Sequence, residues 1–328
     1  MEERVEETAA PGAEPAPRRR ISRGTQTALL ACGLASLVHL IPLLLPRNMP
    51  EQELAIARVM TEPQGRVRRL KPLIDHPKAT GAELREAAEL LLEGAPTEAR
   101  ELVEEAERRE PNALETQLLR ARICRVERME RCVQESFERA ARMAPGDVRT
   151  DLLQADMREQ DGDVEGALEA VARALRKAPG EPAVQLRHSR LLGALGRFEE
   201  AEAALRASEA RLPAQRLYLE LGLLRTREGR NEDARSFFAR AVGEGPQAAV
   251  AHFHLGMAHF QLGDVDSAEE ELRTADRLDV SNPRPLAALC AIQLKAGLAE
   301  AARVTKMDLE RRFQGQTELI RDACRADR

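Results

Sequence analysis

Glycine recurs along most of the chain at a nearly constant interval, and this interval restricts the possible folds more than any other feature. Successive glycines of this series are 34 residues or a multiple of 34 apart, except for one pair that is 33 apart. The series consists of Gly94, Gly162, Gly196, Gly229, Gly263 and Gly297. An alanine follows each of them five residues later, at Ala99, Ala167, Ala201, Ala234, Ala268 and Ala302. Two small residues that recur in phase indicate one structural unit copied along the chain, as in solenoid proteins.

Each repeat predicts two helices that meet near the glycine. Glycine permits the left-handed backbone of a tight turn, and a proline that follows most of the second helices stops them. Aromatic residues make up only 2% of the chain, so we expect helices packed through small side chains rather than a sheet. The unit is therefore an antiparallel helical hairpin. Seven units begin near Thr80, Leu114, Val148, Pro182, Gln215, Ala249 and Pro283.

The hairpin unit resembles the tetratricopeptide repeat (TPR) family over residues 80–315. The fifth unit carries the residues of the family at the family's spacing, namely Tyr218, Leu221, Gly222, Gly229, Ala234, Phe238, Ala241 and Pro246. The resemblance implies an all-α fold, a right-handed superhelical TPR solenoid of about seven helical hairpins.

Two units depart from the family's pattern. In the second unit, Arg128 and Val133 replace the turn glycine and the alanine that follows it. In the seventh unit, Lys306 and Leu309 occupy positions that are usually apolar and small. A weakened last repeat is typical of the end of a solenoid, so we expect residues 316–328 to form a C-terminal capping helix.

The N-terminal segments differ in composition from the repeats. Residues 1–24 are charged and rich in proline and alanine, which predicts a disordered cytoplasmic tail. Residues 25–45 carry no formally charged side chain and would span roughly 31 Å as a helix, the thickness of a bilayer core. They predict one transmembrane helix, with a cleaved signal peptide and a lipoprotein lipidated at Cys32 as alternatives. Prolines divide residues 46–79, which predict a linker with short helices.

The charges beside residues 25–45 predict their orientation. Four arginines precede the segment, at Arg18, Arg19, Arg20 and Arg23, and only Arg47 follows closely. By the positive-inside rule the N-terminus is cytoplasmic and the repeats are exported. Arginine in place of lysine and a high alanine content suggest a GC-rich bacterial genome. We therefore expect a single-pass protein of the bacterial inner membrane with a periplasmic TPR domain, and a cytoplasm-facing adaptor is the alternative.

Three of the six histidines lie in one helix of the sixth unit, which raises the question of a metal site. His252 and His259 are seven residues apart, about 10 Å along a helix axis, and His254 projects elsewhere. Because no pair is placed to share a metal, and because His252 and His259 occupy packing positions of the family, we predict a structural role and no metal site.

Four cysteines follow the apolar segment, an even number that fits disulfides in an oxidising compartment. Cys124 and Cys132 flank the turn of the second hairpin and can face each other across it, so we predict a disulfide, with two free buried thiols as the alternative. A bond between Cys290 and Cys324 requires the terminal helix to fold back on the last hairpin. Its alternative is a buried free thiol at Cys290.

The chain shows no motif of a known catalytic site. Nucleophile-elbow, metalloprotease, phosphate-loop and C-x-x-C patterns are all absent from the sequence. The net charge of −5 gives no basic excess of the kind that nucleic-acid binding needs. We therefore expect a non-enzymatic protein without cofactor, small-molecule substrate or nucleic-acid partner.

The resemblance implies that the first helix of each hairpin lines a concave groove. Its groove positions in the last three units are mostly apolar, at Leu219, Leu223, Val250, Phe253, Met257, Phe260 and Leu294. Arginines accompany them at Arg122, Arg190 and Arg216. The apolar residues predict a groove for a helix or extended segment of a protein partner, with the arginines binding its acidic groups. Burial by the solenoid itself, or by the terminal helix, is the alternative.

These observations predict a membrane-anchored TPR scaffold that recruits or positions a protein of the cell envelope. Envelope assembly factors and cytochrome c maturation subunits are similar in layout. An accessory, redox or maturation factor that uses the cysteines is the alternative function.

Overall fold

The computed structural model describes residues 49–325. The tail predicted over residues 1–24, the transmembrane helix predicted over residues 25–45 and the last three residues of the chain therefore lie outside the described part. Within residues 49–325, no helix combines the length and the apolar character needed to cross a membrane.

Residues 49–325 form 17 α-helices, one short 3-10 helix and no strand, in two compact units that divide after Ser136. The helices of the first unit are α1 (Pro50–Val59), α2 (Pro63–Leu70), the 3-10 helix (Lys71–Asp75), α3 (Gly81–Leu91), α4 (Pro96–Arg109) and α5 (Leu114–Val126). The division falls inside α6 (Glu130–Met143).

The segment expected to be a linker is part of the core of the first unit. Leu54 on α1, Leu70 on α2 and Leu73 in the 3-10 helix are at most 3% exposed and join one apolar cluster with Leu84 on α3. The first hairpin, α3 and α4, begins at Thr80, whose hydroxyl accepts a hydrogen bond from the backbone N–H of Glu83 while the Glu83 carboxylate accepts from the Thr80 N–H. This reciprocal cap fixes the start of α3.

The second unit continues the hairpin pattern to the end of the described chain. Its helices are α7 (Arg149–Gln160), α8 (Val164–Lys177), α9 (Pro182–Ala194), α10 (Phe198–Arg206), α11 (Ala214–Arg227), α12 (Asn231–Glu244), α13 (Ala249–Gln261), α14 (Val265–Leu278), α15 (Arg284–Lys295), α16 (Ala299–Arg312) and α17 (Thr317–Ala323). Three apolar clusters form its core, and the phased alanines Ala167, Ala201, Ala234 and Ala268 are fully buried in them.

The turn of each hairpin from the second to the seventh has one residue in the left-handed region. In five hairpins it is the phased glycine, with φ between 74° at Gly196 and 85° at Gly263. In the second hairpin it is Arg128, with φ 59°. In this turn the Met129 N–H donates a hydrogen bond to the Cys124 carbonyl oxygen at 2.8 Å. The Asp163 N–H makes the equivalent bond to the Arg158 carbonyl oxygen at 2.9 Å in the third hairpin. Arginine therefore adopts the glycine conformation there.

The terminal helix α17 folds back onto the last hairpin. Ile320 of α17 is 4% exposed and shares an apolar cluster with Leu289 of α15 and Leu309 of α16. A disulfide joins Cys324, at the end of α17, to Cys290 on α15. A second disulfide joins Cys124 and Cys132 across the turn of the second hairpin, with Cα atoms 5.8 Å apart.

Candidate protein-binding surface

The apolar residues predicted to line the groove differ in their exposure. Val250, at the start of α13, is 52% exposed and is the most open of them. Phe253, Met257 and Phe260 on the same helix are partly buried against the core cluster of the last hairpins. Val250 therefore exposes about half of its surface to solvent, and the three larger residues expose a smaller part of theirs.

The remaining apolar positions are less open than predicted. Leu223 and Leu294 are partly buried against the clusters beneath α11 and α15. Leu219 is 5% exposed and lies inside the cluster that contains Phe238 and Leu255. Leu219 is thus a core residue, and its assignment to the groove is corrected, because its side chain points between the helices of neighbouring hairpins.

Two of the predicted arginines converge on one buried carboxylate. Glu220 on α11 is 3% exposed, whereas Arg190 on α9 and Arg216 on α11 are each 44% exposed. Nε of Arg190 donates to Oε2 of Glu220 at 3.0 Å, and Nη2 of Arg216 lies 3.0 Å from Oε1. The hydrogen bond and the charge of Glu220 raise the pKa of the Arg190 guanidinium. Glu220 therefore holds two guanidinium groups of neighbouring hairpins in place, with one net positive charge.

Arg122, the third predicted arginine, belongs to the first unit. It lies on α5 and both carboxylate oxygens of Glu89 on α3 accept hydrogen bonds from its Nη1 at 2.7 Å. The ion pair links the first helices of the first two hairpins.

Sequence reasoning missed the role of Glu220. A signal was present, because a glutamate between Leu219 and Leu221 interrupts an otherwise apolar part of α11. The arginine that pairs with it from α9 is 30 residues away in sequence, so the periodicity of one helix could not assign the partner.

The three histidines of α13 have partners within the protein. Nδ1 of His252 lies 2.6 Å from Oε2 of Glu271 and its Nε2 lies 3.1 Å from the carbonyl oxygen of Pro246. Nδ1 of His259 lies 3.1 Å from Oδ2 of Asp264, at the turn that follows. Among residues 49–325, no three side chains of the metal-binding types cluster.

His254, the third of them, lies between two aromatic rings. It stacks on Phe238 with ring centroids 5.4 Å apart and meets Phe253 edge to face at 5.2 Å. Burial lowers the pKa of His254, and the negative charge of Glu220 opposes that shift. The imidazole is therefore favoured in its neutral form, as part of the packing beneath α13.

The terminal helix does not cover all of the apolar residues of the last three hairpins. Helix α17 packs on α15 and α16, where Ile320 enters the last cluster. Val250 keeps its exposure in the presence of α17. Capping by α17 therefore accounts for the end of the solenoid and leaves the start of α13 open.

Comparisons with known proteins agree on the repeat. One tetratricopeptide repeat model matches residues 225–292, and another matches residues 134–182 and 186–249. No curated protein matches the chain by sequence.

Solved structures are similar to the chain at low sequence identity. A tetratricopeptide repeat protein of Parabacteroides merdae is 18% identical, with 74% of this chain and 97% of that chain covered and a TM-score of 0.54. PilW, described as a widely conserved type IV pilus biogenesis factor, is 20% identical, covering 63% of this chain and 96% of its own, with a TM-score of 0.49. PilF of Pseudomonas aeruginosa is 15% identical, and the match covers 64% of this chain and 96% of PilF, with a TM-score of 0.45.

The hairpins with their buried phased alanines, the left-handed turns and the two repeat models all indicate the same unit. The chain carries tetratricopeptide repeats, and its described part is an all-helical TPR solenoid of the type that serves as a protein–protein interaction scaffold.

Proposed function

We propose that the protein is a non-enzymatic scaffold, anchored by residues 25–45 in a bacterial inner membrane, whose periplasmic TPR solenoid binds a segment of a cell-envelope protein. The binding surface consists of the exposed parts of α11 and α13 together with Arg190 on α9. The partner segment carries apolar side chains and acidic groups.

The observation that carries this proposal is the arrangement around Glu220. The buried carboxylate fixes the guanidinium groups of Arg190 and Arg216, and both of them remain partly exposed. Groups that are already held in place lose little conformational entropy when an acidic partner binds. Arg190 uses Nε and Nη2 on Glu220 and Arg216 uses Nη2, so the remaining N–H groups of the two guanidinium groups are available to an acidic group of the partner.

The apolar part of the surface is supplied by α13. Val250 is 52% exposed, and Phe253, Met257 and Phe260 follow it at helical spacing with part of each side chain accessible. His254 meets Phe253 edge to face, and the charge of Glu220 acts on the pKa of the same imidazole. A partner that contacts both would match the mixed apolar and charged character of protein interfaces.

The membrane anchor and the compartment rest on the sequence. Residues 25–45 carry no formal charge, and four arginines precede them on the side expected to remain cytoplasmic. The even number of cysteines that follow fits an oxidising compartment.

Val250→Glu tests the surface without disturbing the core, because the side chain is largely exposed. Val280→Glu is the matched control, since Val280 is 65% exposed in the turn between α14 and α15, outside the proposed surface. A photo-crosslinking amino acid at position 250, and separately at position 280, identifies the protein bound in intact cells. We expect a crosslinked partner from position 250 alone.

The affinity of the purified partner for each variant then tests the proposed surface. Val250→Glu is expected to weaken binding at least about tenfold, which corresponds to about 1.4 kcal/mol, while Val280→Glu leaves it unchanged. Equal affinities of the two variants, with circular dichroism spectra like that of the unmodified protein, would show that the start of α13 is not the binding surface.

A further inference from the structure

The attachment of α17 depends on very few contacts besides its disulfide. Ile320 is the one buried residue of this seven-residue helix. The ion pairs of Arg321, with Glu318 at 3.9 Å and with Asp322 at 3.5 Å, remain inside the helix. Within residues 49–325, no ion pair joins α17 to α15 or α16. A helix of this length is not stable alone, and one buried isoleucine offsets only part of the entropy lost on ordering it.

The last hairpin, in contrast, offers a hydrogen-bond acceptor to a thiol at position 290. Cys290 is fully buried, and its Sγ lies 3.5 Å from the carbonyl oxygen of Ala302. Ser189 occupies the same place in the fourth hairpin, where its hydroxyl donates to the carbonyl oxygen of Ala201 at 2.8 Å. A thiol at Cys290 therefore has an acceptor in the position that serves Ser189, and the α15–α16 pair keeps its packing without the disulfide.

The two disulfides also differ in access. Cys124 is fully buried and Cys132 is 8% exposed, so neither sulfur is open to an incoming thiol. Cys324 is partly exposed and lines an open cavity of about 450 Å³ between α16 and α17. Because thiol–disulfide exchange requires the attacking thiolate to reach a sulfur atom, Cys324 is the accessible target among the four cysteines.

We propose that the Cys290–Cys324 disulfide is a redox-sensitive latch, opened by a dithiol protein, that determines whether α17 remains on the last hairpin. A thiolate of the dithiol attacks Sγ of Cys324, the S–S bond breaks, and Cys290 leaves as a thiolate that takes up a proton. The second thiol of the partner then resolves the mixed disulfide. Cys290 and Cys324 end as two thiols, and the partner ends as a disulfide, so two electrons and two protons pass to this chain.

Opening the latch changes the end of the solenoid and leaves its remainder intact. Release of α17 removes Ile320 from the cluster that contains Leu289 and Leu309, and the apolar end of the last hairpin becomes accessible. This regulation goes beyond the scaffold function, and its evidence is the disulfide and the packing of α17.

The test uses the full-length protein and dithiothreitol as the dithiol. Alkylation before and after reduction, read by mass spectrometry at each cysteine, measures the rate at which each disulfide opens. We expect Cys290–Cys324 to open at least tenfold faster than Cys124–Cys132. Hydrogen exchange then compares residues 317–323 with residues 284–312, and reduction is expected to remove protection from the first range only.

Two variants distinguish a disulfide that controls the position of α17 from a disulfide that only stabilises the fold. Cys324→Ser is expected to show the exchange pattern of the reduced protein without any reductant, and the double variant Cys124→Ser and Cys132→Ser is expected to keep α17 protected until reduction. Equal opening rates of the two disulfides would overturn the proposal. So would protection of residues 317–323 that survives reduction, or loss of protection in α15 and α16 together with α17.

Discussion

The ring of Phe238 on α12 fills the space beside Cα of Gly222 on α11, so closely that a Cβ at position 222 would lie 2.5 Å from Cε1 of the ring. Phe238 is 2% exposed and anchors the cluster beneath α13. The two helices of the fifth hairpin pack through this contact between a glycine and an aromatic ring. The absence of a side chain at Gly222 is therefore what permits the close approach.

Gly222→Ala is expected to lower the free energy of unfolding by about 1–3 kcal/mol. The added methyl group overlaps a ring atom, and the ring cannot move without disturbing a packed cluster. Urea denaturation followed by far-UV circular dichroism measures the change.

Gly243→Ala, in the last turn of α12, provides the matched control for this substitution. Its Cβ would meet no atom within 4 Å, and its backbone is not left-handed. Alanine there is expected to raise the free energy of unfolding by about 0.5–1 kcal/mol, because it lowers the entropy of the unfolded chain and favours the helix. A loss of stability of equal size in both variants would contradict the proposed contact with Phe238.

Arg128 is expected to be a strained residue whose replacement stabilises the second hairpin. Its φ of 59° lies in the left-handed region, where a residue with a Cβ is destabilised by about 1–2 kcal/mol. Glycine has no Cβ and avoids this strain. Because glycine has a more disordered unfolded state, Arg128→Gly should raise the free energy of unfolding by only about 0.5–1 kcal/mol. The midpoint of urea denaturation gives the sign directly.

Gly229→Ala tests the same argument in the opposite direction. Gly229 has φ 80° and open space where a Cβ would lie, so backbone strain is the only cost of the substitution. We expect a loss of about 1 kcal/mol. A neutral result for Gly229→Ala together with a loss for Arg128→Gly would show that the left-handed turn is not what limits stability here.

The stability of the second unit is expected to decrease below about pH 6.5 because of two half-buried histidines, His188 and His254. Burial lowers the pKa of His254, and burial followed by the charge of Arg197 lowers the pKa of His188. The unfolded chain then binds protons at a higher pH than the folded chain does. The stabilising contribution is present in full above the pKa of the unfolded histidines and is lost as the pH falls from that value through the lower pKa of the folded histidines.

His254→Phe measures the share of His254 in this pH dependence. Phenylalanine keeps a ring between Phe238 and Phe253 and removes the titrating group. We expect a smaller difference between the free energies of unfolding at about pH 7.5 and about pH 5 than in the unmodified protein, and a smaller difference still when His188→Phe is added. An unchanged difference in the double variant would assign the effect to the carboxylates.

The repeat spacing was sufficient to predict the hairpins because one glycine and one alanine per unit fix the turn and the close approach of two helices. Even the substituted turn at Arg128 keeps the φ region and the backbone bond of its equivalents. Such local features depend on residues a few positions apart, which a single sequence displays.

Contacts between neighbouring hairpins were harder to predict. The burial of Glu220 depends on Arg190, and the core position of Leu219 depends on Phe238 and Leu255 of the following helices. The prolines of residues 46–79 predicted a linker with short helices; short helices are present, and their Leu54, Leu70 and Leu73 belong to the core of the first hairpin. In each case the deciding partner lies in a different element, and helical periodicity reports only which face is apolar.

Cysteine accessibility is expected to place the solenoid outside the cytoplasm. Cys32→Ser leaves Cys124, Cys132, Cys290 and Cys324, which the structure joins in two disulfides. In cells with an intact inner membrane, an impermeant maleimide should label none of the four before reduction, because a disulfide has no thiolate to react. After an impermeant reductant it should label Cys324 first, since Cys324 is the most exposed of the four residues.

A cysteine introduced before residues 25–45 lets the same labelling experiment test both sides of the membrane. Ser22→Cys lies on the side of residues 25–45 that the arginines predict to be cytoplasmic, so it should react only after the inner membrane is permeabilised. The opposite pattern, with Ser22→Cys labelled in intact cells and the four other cysteines protected until permeabilisation, would invert the topology. Labelling of the four cysteines in intact cells without reductant would instead place free thiols outside the cytoplasm, and the latch at Cys290–Cys324 would then lose its basis, because exchange requires a disulfide to open.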